Sequence, residues 1–314
     1  MHVNSKAIKI AKKDLRLLVK ERTFILILLI FFLMSTASTY IGWSSQQTIQ
    51  QVYEATSQEL IKEGKTVPAS PFSLIPALDI MKNMIIYVVL IGALLSIVLG
   101  YTIAINDRKA GATRLLFSRP FSKKNFLFGK ICAVSILLFF ALIASLVIST
   151  ISVALFHSIS LQLFFSILIF YGASFLYLAG FACLGLFFGL KTDNSTKAIV
   201  LPLLFWIVIT FMFPELGSAL YPTSSLNPVL PTTTVLESPV LQTIHSVIYP
   251  FSISEHYKDF SATTLGLTNT TGTSIIVYPQ EIHLFILFVW LFLAVGLSYY
   301  ALKKFDAAQG DNYE

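Results

Sequence analysis

The chain has little charge. Only 12% of its 314 residues are Asp, Glu, Lys or Arg, whereas 55% are hydrophobic. Soluble domains carry about 25% charged residues, and a water-soluble globule of this size has nowhere to hide so much apolar surface. Cysteine is nearly absent too: Cys132 and Cys183 both fall inside apolar runs, which excludes a disulfide framework. The same composition excludes disordered and collagen-like chains. No segment repeats at a period of roughly 20–50 residues, so a solenoid is not supported.

What the chain does hold is long apolar runs. A helix crossing the roughly 30 Å hydrocarbon core takes about 20 apolar residues. Six stretches approach or exceed that length: Thr23–Trp43, Met84–Ile105, Ile131–Phe156, Leu161–Leu190, Ala198–Pro214 and Ile282–Leu302. None contains Asp, Glu, Lys or Arg. The fifth is short, and Pro202 and Pro214 predict a bent or broken helix there. The fourth is long enough to tilt or to protrude. The fold expected is therefore an all-α polytopic membrane protein with six transmembrane helices.

Lys and Arg orient these spans. Seven precede Thr23, seven more lie in Asn106–Lys130, two flank the Lys191–Lys197 link, and two follow the last span. By the positive-inside rule that side is cytoplasmic, and it holds both termini, including the tail 303–314. The long loops 44–83 and 215–281 then face outward. The second is rich in Thr, Ser and Pro, too long for a simple connector, and is expected to form a small external layer, with Val240–Tyr249 as either a short surface helix or an ordered loop. The first span is read as uncleaved, because its apolar run exceeds the roughly 7–15 residues of a signal h-region.

Residues 1–22 precede the first span. Within them Lys6–Arg22 reads as an amphipathic helix, with Ile8, Ala11, Leu15 and Leu18 on one stripe and Lys9, Lys13, Arg16 and Lys20 on another. Such a helix lies in the membrane interface with its basic face toward anionic headgroups. The second basic loop, 106–130, combines many charges with an apolar group, Leu115, Leu116 and Phe117, in a stretch bracketed by Gly111 and Pro120. Two turns of helix over Ala112–Ser118 would need a partner to cover that group. A solvated basic loop attracted to lipid is the competing reading.

That loop resembles the signature of permease subunits of the ABC type-2 transporter family. Asp107 stands in the acidic position, and Gly111, Arg114, Leu115, Leu116, Ser118, Arg119 and Pro120 fall in register. Ser122-Lys123 replaces Ser-Arg, and Leu127-Phe-Gly129-Lys130 closes the pattern, while Ala112, Thr113 and Phe117 depart from it. The basic first helix, six spans and inward termini match the layout of that family. The resemblance implies that the loop is a coupling helix resting on a separate ATP-binding subunit. Leu115, Leu116 and Phe117 would be its packed knobs, and Asp107, Arg114 and Arg119 its polar contacts. It implies two ATP-binding subunits, a second permease chain (most simply a homodimer), and a translocation path between the halves. ATP and Mg would be bound by the partner ATPase.

The chain itself shows no cofactor site. Gly185-Leu-Phe-Phe-Gly189-Leu-Lys191-Thr192 has the wrong spacing for a P-loop and begins within an apolar span. Gly185 and Gly189 instead form a Gly-x3-Gly pair of the kind that lets helices approach closely in lipid, although chance supplies such pairs as well. No metalloprotease or hydrolase motif is present, so the chain is expected to be a non-catalytic subunit. Glu255, His256 and Asp259 read as a solvated polar turn more readily than as a metal site. Asn269-Thr-Thr271 is a formal glycosylation acceptor on the outer side. Nothing points to nucleic acid, and lipid is the surrounding partner. Two other classes fit the same spans: a secondary carrier or channel working alone, and a scaffold or sensor binding an external protein through its long loops. Proton- or sodium-coupled carriers use ionisable groups at membrane depth, and these spans offer no Asp, Glu, Lys or Arg.

Overall fold

A computed structural model describes residues 5–20, 22–70, 76–109, 122–156, 159–192, 194–213, 243, 247–267 and 278–304. The helices named below are α1 (Ser5–Lys20), α2 (Thr23–Lys62), α3 (Lys82–Tyr87), α4 (Ala93–Lys109), α5 (Lys123–Phe156), α6 (Leu161–Lys191), α7 (Ser195–Ile207), α8 (Ile253–Thr264) and α9 (Gln280–Lys304). Six helical stretches are long and apolar enough to cross a membrane: Phe24–Lys62, Ala77–Asn106, Lys123–Leu155, Leu161–Lys191, Ser195–Met212 and Gln280–Lys303. The chain is an all-α, multi-pass membrane bundle.

Two spans are composite. The second opens with a tight 3-10 turn, Ala77–Met81, runs through α3, widens into a π turn at Val88–Gly92 and continues as α4. The fifth passes through the buried Pro202 as unbroken helix and widens only beyond it, at Val208–Met212. The break expected at Pro202 is thus displaced along the chain by about a turn and a half.

The helix of the first span continues to Lys62, well past Trp43 where its apolar run ends. Residues 44–62 lack both Gly and Pro, so nothing in the backbone chemistry stops the helix there. Gly64, at φ 73°, supplies the left-handed conformation that ends it, and Lys65 N–H donates to the Leu60 carbonyl at 2.9 Å.

The fourth span, α6, is the centre of the bundle. It is buried from Ile167 to Leu190 over most of its faces and contacts α4, α5, α7, α8 and α9. Small residues set its closest approaches. A Cβ on Gly100 of α4 would collide with the Ala182 carbonyl of α6, and one on Gly185 with the Ile97 carbonyl of α4. One on Gly189 would lie 2.5 Å from Ala104 Cβ. Gly185 and Gly189 therefore sit in the α4–α6 interface, where helix backbones meet without intervening side chains. Paired hydroxyls also join helices, since a polar group buried in an apolar interior costs free energy unless bonded: Ser149 Oγ and Tyr171 OH lie 2.7 Å apart, and Ser298 Oγ donates to the Cys183 carbonyl at 2.8 Å.

α1 joins α2 through Arg22, whose φ of 62° turns the chain. Its buried stripe is Ala7, Ile10, Ala11, Asp14 and Leu18, and it faces α5 rather than open lipid. This corrects the stripe read from the sequence. Ile8 is 54% exposed, Leu15 is only partly buried, and Ile10 and Asp14 take the inner positions. Lys9, Lys13, Arg16 and Lys20 are exposed, as expected of the basic face.

Candidate functional site

The two ends of the bundle differ in chemistry. At the basic end α4 leaves the bundle and α5 returns to it, and residues 110–121 connect them. Gly111, Arg114, Leu115, Leu116, Phe117, Arg119 and Pro120 lie outside the described residues. Asp107 belongs to the last turns of α4. What the structure does describe is the frame that holds both ends of this connector.

Lys130, about two turns into α5, is that frame's hub. It is 0% exposed, and its Nζ donates to the Ile103 carbonyl of α4 at 2.6 Å. It also lies 3.4 Å from Asp14 Oδ2 of α1 and 4.8 Å from the centre of the Phe126 ring. Three helices thus converge on one ammonium group. A buried ammonium is tolerable only with such company, since removing an ion from water costs several kcal/mol unless partners restore the lost hydrogen bonds. Asp14 is the sole acid among the first twenty residues and falls on the buried stripe. That pairing of features was the signal available in the sequence, and it was missed.

Gly129, next in the chain, explains how α1 comes so close. A Cβ there would stand 2.8 Å from the Ala7 carbonyl oxygen and 2.9 Å from Ile10 Cβ. The Gly-Lys pair that closes the loop signature therefore has two physical tasks: Gly129 admits α1, and Lys130 ties it down. Other links tighten the same end. Lys123 Nζ donates to the Lys303 carbonyl at 3.3 Å, joining α5 to α9, and Tyr101 OH lies 2.9 Å from Ser195 Oγ, joining α4 to α7.

At the opposite end the described part of the 215–281 segment is not a surface turn. α8 is inserted into the bundle, with Ser254, Glu255, His256, Tyr257, Lys258, Phe260, Ser261 and Ala262 buried. Tyr257 stacks on Tyr177 of α6 with ring centres 4.6 Å apart and pairs with Ser174 Oγ at 2.7 Å. Ser254 Oγ lies 3.2 Å from Tyr177 OH and 3.4 Å from Thr210 Oγ1. Because Ser174 and Tyr177 fall near the middle of α6, the first two turns of α8 lie against the middle of that helix. Its last turn is held at the end of the bundle, where Gln280 Nε2 donates to Thr264 Oγ1 at 2.8 Å. The stretch Val240–Tyr249, expected as a short surface helix or an ordered loop, lies mostly outside the described residues, as does Asn269.

Glu255, His256 and Asp259 consequently are not the solvated turn they resembled. Glu255 forms an ion pair with Lys258, and Tyr249 OH donates to Asp259. His256 Nδ1 and His283 Nδ1 are 2.9 Å apart, and His283 Nε2 meets the Tyr278 carbonyl at 3.0 Å. Burial pushes the Glu255 carboxyl up to about 7 and the Asp259 carboxyl up to about 6. The same burial, with His283 nearby, lowers the His256 imidazole to about 4. No group of three or more His, Cys, Asp or Glu side chains placed to hold a metal ion occurs among the described residues.

Six helices long and apolar enough to span, packed through glycines with a further helix inserted at one end, define a multi-pass membrane protein. Residues 8–307 match the family model described as ABC-2 family transporter protein, and the chain belongs to that family. No curated protein matches it.

Proposed function

We propose that the chain is the permease subunit of an ATP-driven exporter in the plasma membrane, with its basic end and both termini in the cytoplasm. The observation that carries this reading is the match over residues 8–307, and the hub at Lys130 supports it physically. A connector whose two ends are clamped to one buried ammonium can pass a push from a bound ATPase into α4 and α5 as a rigid displacement. Residues 110–121 would then be the coupling helix, with Leu115, Leu116 and Phe117 seated in the ATPase and Asp107, Arg114 and Arg119 around them. Two permease chains, as a homodimer, would be served by two ATP-binding subunits holding ATP and Mg. α1 would rest at the cytoplasmic interface, its exposed lysines toward anionic lipid.

The test is co-expression with an ATP-binding subunit, followed by purification and measurement of ATP hydrolysis in lipid vesicles. Arg114→Glu and the double variant Leu115→Ala/Leu116→Ala should still insert but lose permease-dependent ATPase stimulation. Full stimulation in both variants would refute the docking role. A chain that moves solute in vesicles with no ATPase present would favour the solitary carrier instead.

A further inference from the structure

A cavity of about 540 Å³ opens sideways between the fifth and sixth spans, beneath the start of α8. α7 packs on α4 and α6, and α9 packs on α6 and α8, which leaves a cleft between α7 and α9. Phe205 and Ile209 form one wall, Phe285 and Leu293 the other, and Phe251 covers the outer end. The floor is buried, with Ile209 4% and Trp290 5% exposed, whereas the rims at Phe251 and Phe285 are each 67% exposed. The polar hydrogen of Trp290 is already used, since Nε1 donates to the Tyr177 carbonyl at 3.4 Å.

Three features decide what fills this cleft. It lies on spanning helices and is within the size range of ligand sites, about 300–1,000 Å³. Its lining offers water no set of partners, and a buried water needs about two to four. Its depth also fits one leaflet. The lining runs from Phe205 to Phe213 on one helix and from Phe285 to Leu293 on the other. Each run is ~12 Å at the helical rise of about 1.5 Å per residue, close to the ~15 Å of half a hydrocarbon core. Both runs occupy the half of the bundle nearest α8.

We infer that this cleft is a binding site for a single hydrocarbon chain of a lipid in the leaflet at the α8 end. A chain lying there touches protein on three sides, against one side on the exposed faces of α2 and α5, so dispersion contacts hold it longer than bulk lipid. The site needs only the folded chain in a membrane, so its test is independent of any ATPase.

Trp290 makes the test direct. The sequence holds three tryptophans, and in a Trp43→Phe/Trp206→Phe background Trp290 alone reports. The full chain is placed in phosphatidylcholine vesicles with dibrominated acyl chains, whose bromines quench only indole in close contact. Trp290 emission should fall at least twofold relative to unbrominated vesicles, and Ile209→Phe/Leu293→Phe should restore more than half of the loss. A second measurement does not depend on that variant folding: a phospholipid with a diazirine in its acyl chain should label the Ile209 and Leu293 peptides above those of the outward face of α2. Unquenched Trp290, quenching indifferent to the filled cleft, or even labelling would overturn the inference. So would efficient cross-linking between two copies through Phe285→Cys, which would make a protein surface the occupant.

Discussion

Lys130 Nζ and Asp14 Oδ2 lie 3.4 Å apart with both residues buried, although 116 positions separate them in the chain. Removing Lys130 takes the nearer cation from a buried carboxylate that also has Lys13 at 3.9 Å, and removing Asp14 takes the carboxylate from a buried ammonium that also donates to the Ile103 carbonyl. Asp14→Ala or Lys130→Met should each lower stability by about 3–5 kcal/mol, the range for breaking a buried pair. The double variant Asp14→Leu/Lys130→Met removes both charges and should recover part of that loss. Thermal unfolding in detergent reads all three. Equal melting of the single variants and the parent would show that the pair does not hold α1 in place.

The closeness of α1 to α5 rests on the absence of a side chain at Gly129. Gly129→Val would drive carbon atoms into the Ala7 carbonyl and Ile10. It should detach α1 while leaving the six spans inserted. Limited proteolysis after Lys9 or Lys13 should accelerate several-fold, with little change in membrane yield.

α8 is held by Tyr257, whose hydroxyl pairs with Ser174 at 2.7 Å while its ring stacks on Tyr177. Tyr257→Phe keeps the stack and removes the hydrogen bond. The expected loss is about 1 kcal/mol, the net worth of a typical buried bond. Tyr257→Ala should cost about 3–5 kcal/mol, because a ring-sized cavity opens as well. Comparison of the two by denaturant unfolding separates the bond from the packing.

The imidazole of His256 is lowered to about 4 from its usual value near 6.5. In the fold it is neutral, whereas in the unfolded chain it gains a proton at higher pH. Stability from this group is full above about pH 6.5 and falls progressively as pH drops toward 4. The groups facing it are His283 and Tyr278 at the start of the last span and Tyr249 on the preceding turn, while Glu255, Lys258 and Asp259 are its charged neighbours along α8, engaged with one another and with Tyr249. Glu255 acts in the opposite sense. Raised to about 7 by burial, it costs stability as pH climbs from about 4.5 through 7. His256→Gln should flatten the acid limb of a melting-temperature profile, and Glu255→Gln should flatten the limb between about pH 4.5 and 7. Unchanged limbs would show that these groups are not buried as described.

The six apolar spans were readable because length and absence of charge suffice to call for a membrane helix. The Gly185–Gly189 spacing was also visible, but only the fold shows that Ile97 and Ala104 of α4 fill the space beside it. Legibility failed wherever a polar group was matched by a distant one. Asp14 drew no reading at all, because its partner Lys130 comes more than a hundred residues later. Glu255, His256 and Asp259 looked solvated because nothing local announces Tyr249 and His283 as partners, and the visible Glu255–Lys258 pair is as common on exposed helix faces. The continuation of α2 to Lys62 was passed over for another reason: apolarity ends at Trp43, but the helix is stopped only by Gly64.

That continuation gives the molecule a mast. From Ser44 to Lys62 about nineteen residues add ~28 Å of helix beyond the apolar run. Most of its side chains face solvent, and Gly64 at its tip has nothing within 4 Å of where a Cβ would stand. An epitope inserted at that tip would stay clear of every other described helix, and antibody access on intact cells would then report which face of the membrane the mast occupies.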